Sequence, residues 1–241
     1  MDLTLATLLS PEALGLADAS WAAFAGWLSV AFVLGLVHAF DADHVMALSV
    51  FATRSHGAWA GARAGLRWSL GHGVVLFAAG IGLLFLGHSL TPAMALVAER
   101  AVGVVMVLLG AYAWLELARS RSHLHFHEHD DLPAHAHWHS HEDVGHGHEH
   151  GALMVGAFHG LAGSAPILAV LPVAARSPLL GLAYLVVFGI GVALAMGFVS
   201  GLLGHFAGRL ATGARSRSLA VLRGASAAGS IALGAWLAVL A

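Results

Sequence analysis

The sequence has 241 residues, of which 59% are hydrophobic and only 10% are charged, with a mean hydropathy of +0.81. Soluble domains usually carry roughly 25% charged residues, so this composition excludes a water-soluble fold and predicts a protein whose main solvent is lipid. A net charge of −2 argues against nucleic acid as a partner, and the absence of Cys excludes disulfides, thiolate metal sites and Cys nucleophiles.

Six segments are apolar over the roughly 20 residues that a helix needs to span the hydrocarbon core. They cover residues 21–40, 66–86, 93–117, 152–174, 179–205 and 219–240. A shorter apolar stretch, residues 3–16, is broken by Pro11, and we expect it to lie at the membrane interface. The pattern predicts an all-α membrane protein with about six transmembrane helices.

The arginines predict the orientation of these helices, because cytoplasmic loops are enriched in basic residues. The chain has no Lys. If the N-terminus is outside, nine arginines face the cytoplasm and two, Arg100 and Arg176, face outward. The nine are Arg54, Arg63, Arg67, Arg119, Arg121, Arg209, Arg215, Arg217 and Arg223. We therefore expect both termini outside and the polar segment 119–150 in the cytoplasm.

The two ends of the chain resemble each other in three places, in one order and at similar spacings. The pairs are His38 with His159, Gly71 with Gly189 and Gly110 with Gly234, at offsets of 121 (159 − 38), 118 (189 − 71) and 124 (234 − 110). An odd number of helices per copy would invert the second copy, a common transporter arrangement. We expect residues 1–118 and 151–241 to be inverted three-helix repeats. The alternative is a chance likeness of glycine-rich apolar helices.

The run His38-Ala-Phe-Asp41-Ala-Asp43-His44 directly follows the first apolar stretch. An ionised Asp at the centre of a membrane helix costs about 2.5–3.5 kcal/mol on insertion scales, and no Arg lies within nine residues on either side. The compensating charge must therefore come from another helix or from a bound cation. Imidazole and carboxylate without sulfur suit Ni²⁺, Co²⁺ or Zn²⁺.

Helical spacing does not bring all four of these groups together. His38, Asp41 and His44 fall within about a 120° arc of one helix face, whereas Asp43 points elsewhere. Either the helix is unwound here, or one Asp orients a His through its ring N–H. We take His38, Asp41, Asp43 and His44 as metal-site residues, with His72 and His159 as contributors from other helices. The alternative is a structural hydrogen-bond network between helices.

These residues also carry a family resemblance. The run Leu36-Val-His-Ala-Phe-Asp-Ala-Asp-His-Val45 resembles the H-x-x-x-x-D-H signature of the bacterial nickel/cobalt transporter superfamily, and Ser69-Leu-Gly-His72 resembles its second motif. The run from Gly156 to Ser164 is similar to a motif of the shorter, six-helix branch. The resemblance implies metal recognition by His38, Asp43, His44 and His72. A His-rich segment in mid-chain departs from the uptake members and is more similar to efflux members.

Eleven of the eighteen His lie between His123 and His150, interspersed with acids. We expect a mobile loop without a core that binds divalent metals with low selectivity, as a cytoplasmic metal buffer or sensor. The alternative is a solvated low-complexity linker.

Together these features predict a transporter of the bacterial inner membrane that carries Ni²⁺ or Co²⁺ as substrate, with the lipid bilayer and a cytoplasmic metallochaperone as compatible partners. We expect no enzymatic activity and no resident cofactor. A zinc transporter, a membrane-embedded metalloenzyme, and a sensor in which only the loop matters are the alternatives. The chain lacks the H-E-x-x-H helix of a zinc importer family and the repeated His clusters of desaturase-like enzymes.

Overall fold

The computed structural model describes residues 21–55, 57–86, 91–119, 123–129, 132–139, 148–162, 178–211 and 216–239, for some of which, both strands included, the backbone alone is described. The elements in these ranges are α1 (Trp21–His38), α2 (Ala42–Ala52), α3 (Ala58–Leu86), α4 (Pro92–Arg119), β1 (His123–His129), β2 (Leu132–His139), α5 (His148–Ala162), α6 (Pro178–Leu210) and α7 (Ser216–Val239). The predicted interfacial stretch 3–16 and residues 163–174 of the fourth predicted span lie outside the described residues.

The helices confirm a largely α-helical membrane protein. Among the described residues, α4, α6 and α7 are each long and apolar enough to cross a membrane, and α1 with α2 forms a fourth crossing if the bent pair is one span. Helix α3 has 29 residues, which corresponds to roughly 44 Å at 1.5 Å per residue. Its first turns carry Arg63 and Arg67, which lower its hydropathy.

The first predicted span, residues 21–40, is followed by a second short helix that the sequence analysis did not predict. Helix α1 ends at His38, and after a short break the chain continues as α2 at an angle of 61° to α1. The prediction missed α2 because the helix is only 11 residues long, begins directly after Asp41 and contains Asp43 in its first turn. Tertiary packing stabilises this short helix, since Leu48, Val50 and Phe51 are buried against the other helices.

Two parts of the expected loop, residues 123–129 and 132–139, have regular backbone structure. Strands β1 and β2 pair antiparallel, with His125 opposite His137 and His127 opposite His135. The sequence signal was present, because His alternates with other residues at a period of two, which is the period of a β-strand. The expectation of a loop rested on the absence of apolar periodicity, and the alternation of histidines was interpreted as metal binding and not as a strand.

Small residues allow the long helices to approach closely, as is common inside membranes. Helix α3 packs most extensively against α6, and α4 against α7. A Cβ added at Gly61 would overlap the carbonyl oxygen of Ser200, and one added at Gly65 would overlap that of Met196. From Gly61 to Gly65 the residue number rises by four in α3, whereas the contacted residue number falls by four in α6. These two helices therefore run antiparallel.

Close approaches of this kind come in pairs with a nearly constant spacing along the chain. Gly35 of α1 abuts the carbonyl of Phe188 in α6, and Gly156 of α5 abuts the carbonyl of Trp68 in α3. The two glycines are 121 residues apart (156 − 35), and the two aromatic residues are 120 apart (188 − 68).

Helices α4 and α7 follow the same rule. Gly110 of α4 faces the carbonyl of Ala227, and Gly234 of α7 faces the carbonyl of Gly103. Both offsets equal 124 (234 − 110 and 227 − 103), which is the offset read from the sequence.

One of the three sequence pairings is corrected by these contacts. Gly71 abuts the carbonyl of Leu153, and the glycine of α6 with the corresponding contact, to the carbonyl of Phe32, is Gly191. Gly189, which the sequence paired with Gly71, has nothing within 4 Å of its added Cβ. The offset for these helices is therefore 120 (191 − 71), and the sequence likeness was misaligned by two residues.

The glycine contacts predict a marked difference between two Gly→Ala variants. In Gly156→Ala the new methyl group meets the backbone of α3, and we expect a loss of about 1–3 kcal/mol of stability from overpacking. In Gly189→Ala the methyl group meets open space, and helix propensity favours Ala by about 1 kcal/mol. Thermal unfolding of the detergent-purified protein measures both; equal melting temperatures would contradict the close packing of α5 on α3.

Candidate metal centre

A break in the backbone brings the predicted site residues together. After α1 the chain makes two tight turns, in which the amide of Phe40 donates to the carbonyl of Val37 and the amide of Asp41 to that of His38, at 2.9 and 3.1 Å. Asp41 itself is extended, with φ −57° and ψ 142°, and α2 begins at the next residue. The break turns His44 back toward the end of α1, so that both histidines share one space.

Three imidazoles from two segments converge there. The ligand atoms of His38, His44 and His72 all lie within 4.8 Å of one another, and the ring centroids are 4.6 Å (His38 to His44), 5.5 Å (His38 to His72) and 5.2 Å (His44 to His72) apart. His44 and His72 are 2% and 1% exposed. Imidazole nitrogens on one ion at about 2.0–2.1 Å lie roughly 3–4 Å apart, so a shift of about 1 Å would bring these three onto a single ion.

Hydrogen bonds to the ring Nδ1 atoms fix which nitrogen is available as a ligand. Nδ1 of His38 lies 2.8 Å from Oδ2 of Asp41, and Nδ1 of His44 lies 3.0 Å from the carbonyl oxygen of His38. Both acceptors require a proton on Nδ1, so in the neutral imidazole Nε2 keeps its lone pair. This is the arrangement that carboxylates and carbonyls impose on metal-binding His, and it assigns Asp41 to orienting His38.

His159 of α5 extends this group. It is 1% exposed, its ring centroid lies 5.8 Å from that of His44, and its Nδ1 lies 2.9 Å from the carbonyl oxygen of Val155. It is not among the three imidazoles whose ligand atoms are mutually within 4.8 Å. His159 therefore lies beside the cluster, at one edge of it.

Several buried ring nitrogens have no hydrogen-bond partner among the described residues. They are Nε2 of His38, both nitrogens of His72 and Nε2 of His159. A buried polar atom without a partner costs free energy, so such atoms are rare unless a ligand or water completes them. The cluster therefore offers several lone pairs in a space that is otherwise apolar.

The two carboxylates lie where the break joins α2. Asp41, Asp43 and His44 form a second group of potential ligands, and the Asp43 carboxylate lies 4.0 Å from Nδ1 of His44. The Asp41 side chain is 54% exposed and that of Asp43 27% exposed. The ion pairs of the described residues thus put His, and not Arg, beside each carboxylate. Of the two explanations that spacing left open, an unwound helix and an orienting Asp, the structure contains both.

Two aromatic residues that the sequence did not single out form the walls of the cluster. The Trp68 ring stacks on His72 at 5.1 Å and 11°, and lies 5.0 and 5.4 Å from His44 and His159. Trp68 is four residues before His72, so helical spacing could have identified it. Phe188 lies 5.4 Å from His38 but comes from α6, and no local pattern indicates that contact.

Comparisons with known proteins cover this whole region. The chain matches the family described as cytochrome c biogenesis protein transmembrane region over residues 30–236, which include all six predicted site residues. It is 30% identical over 169 residues to the urease accessory protein UreH of Bacillus sp. (strain TB-90), across 70% of this chain and 72% of that relative. No solved structure matches.

The cluster predicts a Co²⁺ spectrum that depends on His72. The eleven histidines from His123 to His150 are first replaced by Ser, so that only the buried cluster reports. In this background Co²⁺ should give visible absorption bands of imidazole ligation. His72→Ala should weaken Co²⁺ binding by about 10–100-fold, and Asp41→Asn by a similar factor through its effect on His38. The control is His205→Ala, because His205 is exposed on α6. Binding that is unchanged in His72→Ala would remove this residue from the site.

Proposed function

The chain belongs to the bacterial nickel/cobalt transporter superfamily, and from this premise we propose that it moves Ni²⁺ or Co²⁺ across the bacterial inner membrane through the buried imidazole cluster. Membership rests on the two matches above together with the motif residues His38, Asp43 and His44. Both matches point to a multi-pass membrane transporter and away from an enzyme. The choice of ion and the residues that bind it are our proposal.

One observation carries the proposal. The ligand atoms of His38, His44 and His72 lie within 4.8 Å of one another, and the Nδ1 protons of the first two are held by Asp41 and by a carbonyl. Imidazole and carboxylate donors without sulfur favour borderline divalent metals such as Ni²⁺ and Co²⁺. An apolar, buried position for such a cluster is costly in a protein that never binds a cation.

In the proposed cycle, the ion exchanges part of its water shell for His38, His44 and His72. Asp41 keeps the His38 ring in place, and the Asp43 carboxylate contributes negative charge at the start of α2. His159 and Trp68 line the path beside the ion. The break between α1 and α2 is the point at which this half can bend, because few backbone hydrogen bonds cross it.

We propose that two inverted halves, residues 1–118 and 151–241, rock against each other around this cluster. The paired glycine contacts at offsets of 120 to 124 support this arrangement. The helix directions support it as well. Helices α3 and α6 run antiparallel, whereas α3 and α5 run parallel, since Gly156 approaches Trp68 and Gly160 approaches His72. Six alternating crossings would give these directions.

The orientation of the halves follows from arginine placement. With the N-terminus outside, nine arginines face the cytoplasm, and residues 119–150 with their hairpin lie there too. Such a segment would serve as a metal buffer or sensor and could receive the ion from a cytoplasmic metallochaperone. Its His-rich hairpin is not the selectivity element in this proposal, because the buried cluster imposes geometry and the hairpin is outside the membrane.

The rival functions differ in what they require of the chain. Zinc is the closest alternative, since the same ligands bind Zn²⁺. A membrane-embedded metalloenzyme would need a reacting substrate beside the cluster, and the cluster is walled by Trp68 and Phe188. Thiol–disulfide exchange by this chain is excluded because it has no Cys.

Flux through liposomes tests the proposed activity. The purified protein is reconstituted with a metal-sensitive dye inside the vesicles, and Ni²⁺, Co²⁺ and Zn²⁺ are compared. We expect flux for Ni²⁺ or Co²⁺, and near-complete loss of it in His44→Ala and in Asp43→Asn, with His205→Ala as the matched control. Wild-type rates in both cluster variants would reject the assigned site, and faster Zn²⁺ flux would favour the zinc alternative.

Removal of the His-rich segment separates a carrier from a sensor. Residues 122–147 are replaced by a Gly/Ser linker of equal length, which leaves α4 and α5 intact. A carrier keeps metal-selective flux because the cluster lies elsewhere, and its affinity changes little. If the replacement abolishes flux while the protein still elutes as a single folded species, the segment itself is the functional element.

A further inference from the structure

A cavity that is lined by none of the cluster histidines lies between the C-terminal end of α2 and the N-terminal parts of α3 and α5. Its volume is about 180 Å³. Its wall contains three arginines and one hydroxyl, Arg54, Arg63, Arg67 and Ser55, on an otherwise apolar surface that includes Phe51 and Ala152. Among the residues that the structure describes, no Asp or Glu lines it.

The charged side chains of this cavity are positive, as is the metal ion that we propose as transport substrate. Three guanidinium groups line this space, one of them paired with Glu116 of α4, and no described carboxylate lines it, so the cavity disfavours a divalent cation and favours an anion. Each guanidinium presents up to five N–H donors in a planar fork that matches the oxygens of a phosphate group. Ser55 adds a hydroxyl at the same wall, although its oxygen also lies 3.2 Å from the carbonyl of Phe51.

One of the arginines is held in place by other helices. The Arg54 guanidinium forms an ion pair with Glu116 at 2.5 Å and lies 5.0 Å above the Tyr112 ring, both from α4. Arg223 of α7 donates to the carbonyl of Thr53, the preceding residue, at 3.2 Å. The segment directly after α2 is therefore held against α4 and α7. Arg54 lines the cavity from this fixed position.

The size and depth of the cavity suit a phosphate group. A single ordered water needs about 15 Å³ of such space, so about 180 Å³ admits a tetrahedral phosphate with part of its hydration shell. Arg63 and Arg67 lie in the first three turns of α3, five and nine residues after Ala58. At 1.5 Å per residue they are roughly 8 and 14 Å from the start of that helix, whose length of about 44 Å exceeds the roughly 30 Å hydrocarbon core by about 14 Å.

From these observations we infer that Arg54, Arg63, Arg67 and Ser55 form a binding site for a phosphate-type anion at the arginine-rich face of the protein. In membrane proteins generally, basic pockets between helices on the cytoplasmic side bind anionic phospholipid headgroups. Free phosphate presents the same anionic oxygens. The site is independent of the metal cluster, because none of its four polar residues belongs to that cluster.

The test uses the full-length protein without metal. Native mass spectrometry measures retention of phosphatidylglycerol against phosphatidylcholine with identical acyl chains, and thermal unfolding with inorganic phosphate forms the second arm. The variant is Arg63→Gln, since Arg63 is exposed on α3, with Arg67→Gln as a second variant. The control is Arg217→Gln, which removes one exposed arginine from the first turn of α7, away from the cavity.

We expect preferential retention of phosphatidylglycerol, weakened about tenfold in Arg63→Gln, as for loss of a charge-assisted hydrogen bond, and unchanged in Arg217→Gln. If the lipids bind alike, but phosphate raises the melting temperature of the wild type and of Arg217→Gln and not of Arg63→Gln, the anion is soluble phosphate. If neither ligand distinguishes the cavity variants from Arg217→Gln, the inference is overturned. Metal transport enters none of these measurements, so their failure leaves the proposed function untouched.

Discussion

Inside a membrane, a polar atom without a protein partner cannot form a hydrogen bond to water instead. This constraint determines the structure at the centre of the protein. Nε2 of His38, both nitrogens of His72 and Nε2 of His159 are buried without hydrogen-bond partners among the described residues. At the same time, the opposite ring nitrogens of His38 and His159 are bonded to Asp41 and to a carbonyl. The rings of His38 and His159 are therefore held in fixed orientations, with their unpartnered nitrogens buried. Such an arrangement is costly when empty and favourable around a divalent cation.

The rest of the fold provides for this cluster. At the break, the carbonyl of His38 accepts both the amide of Asp41 and the Nδ1 proton of His44, so one local distortion both bends the span and orients a ligand. The glycine contacts bring α3 close enough to α5 for Trp68 to reach His159. Interhelical van der Waals packing is the main cohesive force in lipid, and here the same contacts that hold the helices together also set the distances between imidazoles.

Much of this could be predicted from the sequence, because membrane helices and a compact cluster of charged residues are local patterns. His38, Asp41, Asp43 and His44 fall within seven residues, and the sequence predicted His72 and His159 as contributors from other helices. Spacing could not decide whether the helix unwinds at Asp41, since that depends on hydrogen bonds that form only after folding. Phe188 could not be found, because it meets His38 across the interface between α1 and α6. The hairpin was missed although its period of two was visible, and Gly191 was confused with Gly189 because both lie in one glycine-rich run.

The central claim is that the buried imidazoles hold a divalent metal ion within the membrane. X-ray absorption at the nickel edge, on full-length protein whose histidines from His123 to His150 are replaced by Ser, tests it most directly. The account predicts a nickel shell that shows the multiple-scattering pattern of bound imidazole, with about three such ligands. A shell of oxygen alone, as in hydrated Ni²⁺, would contradict it.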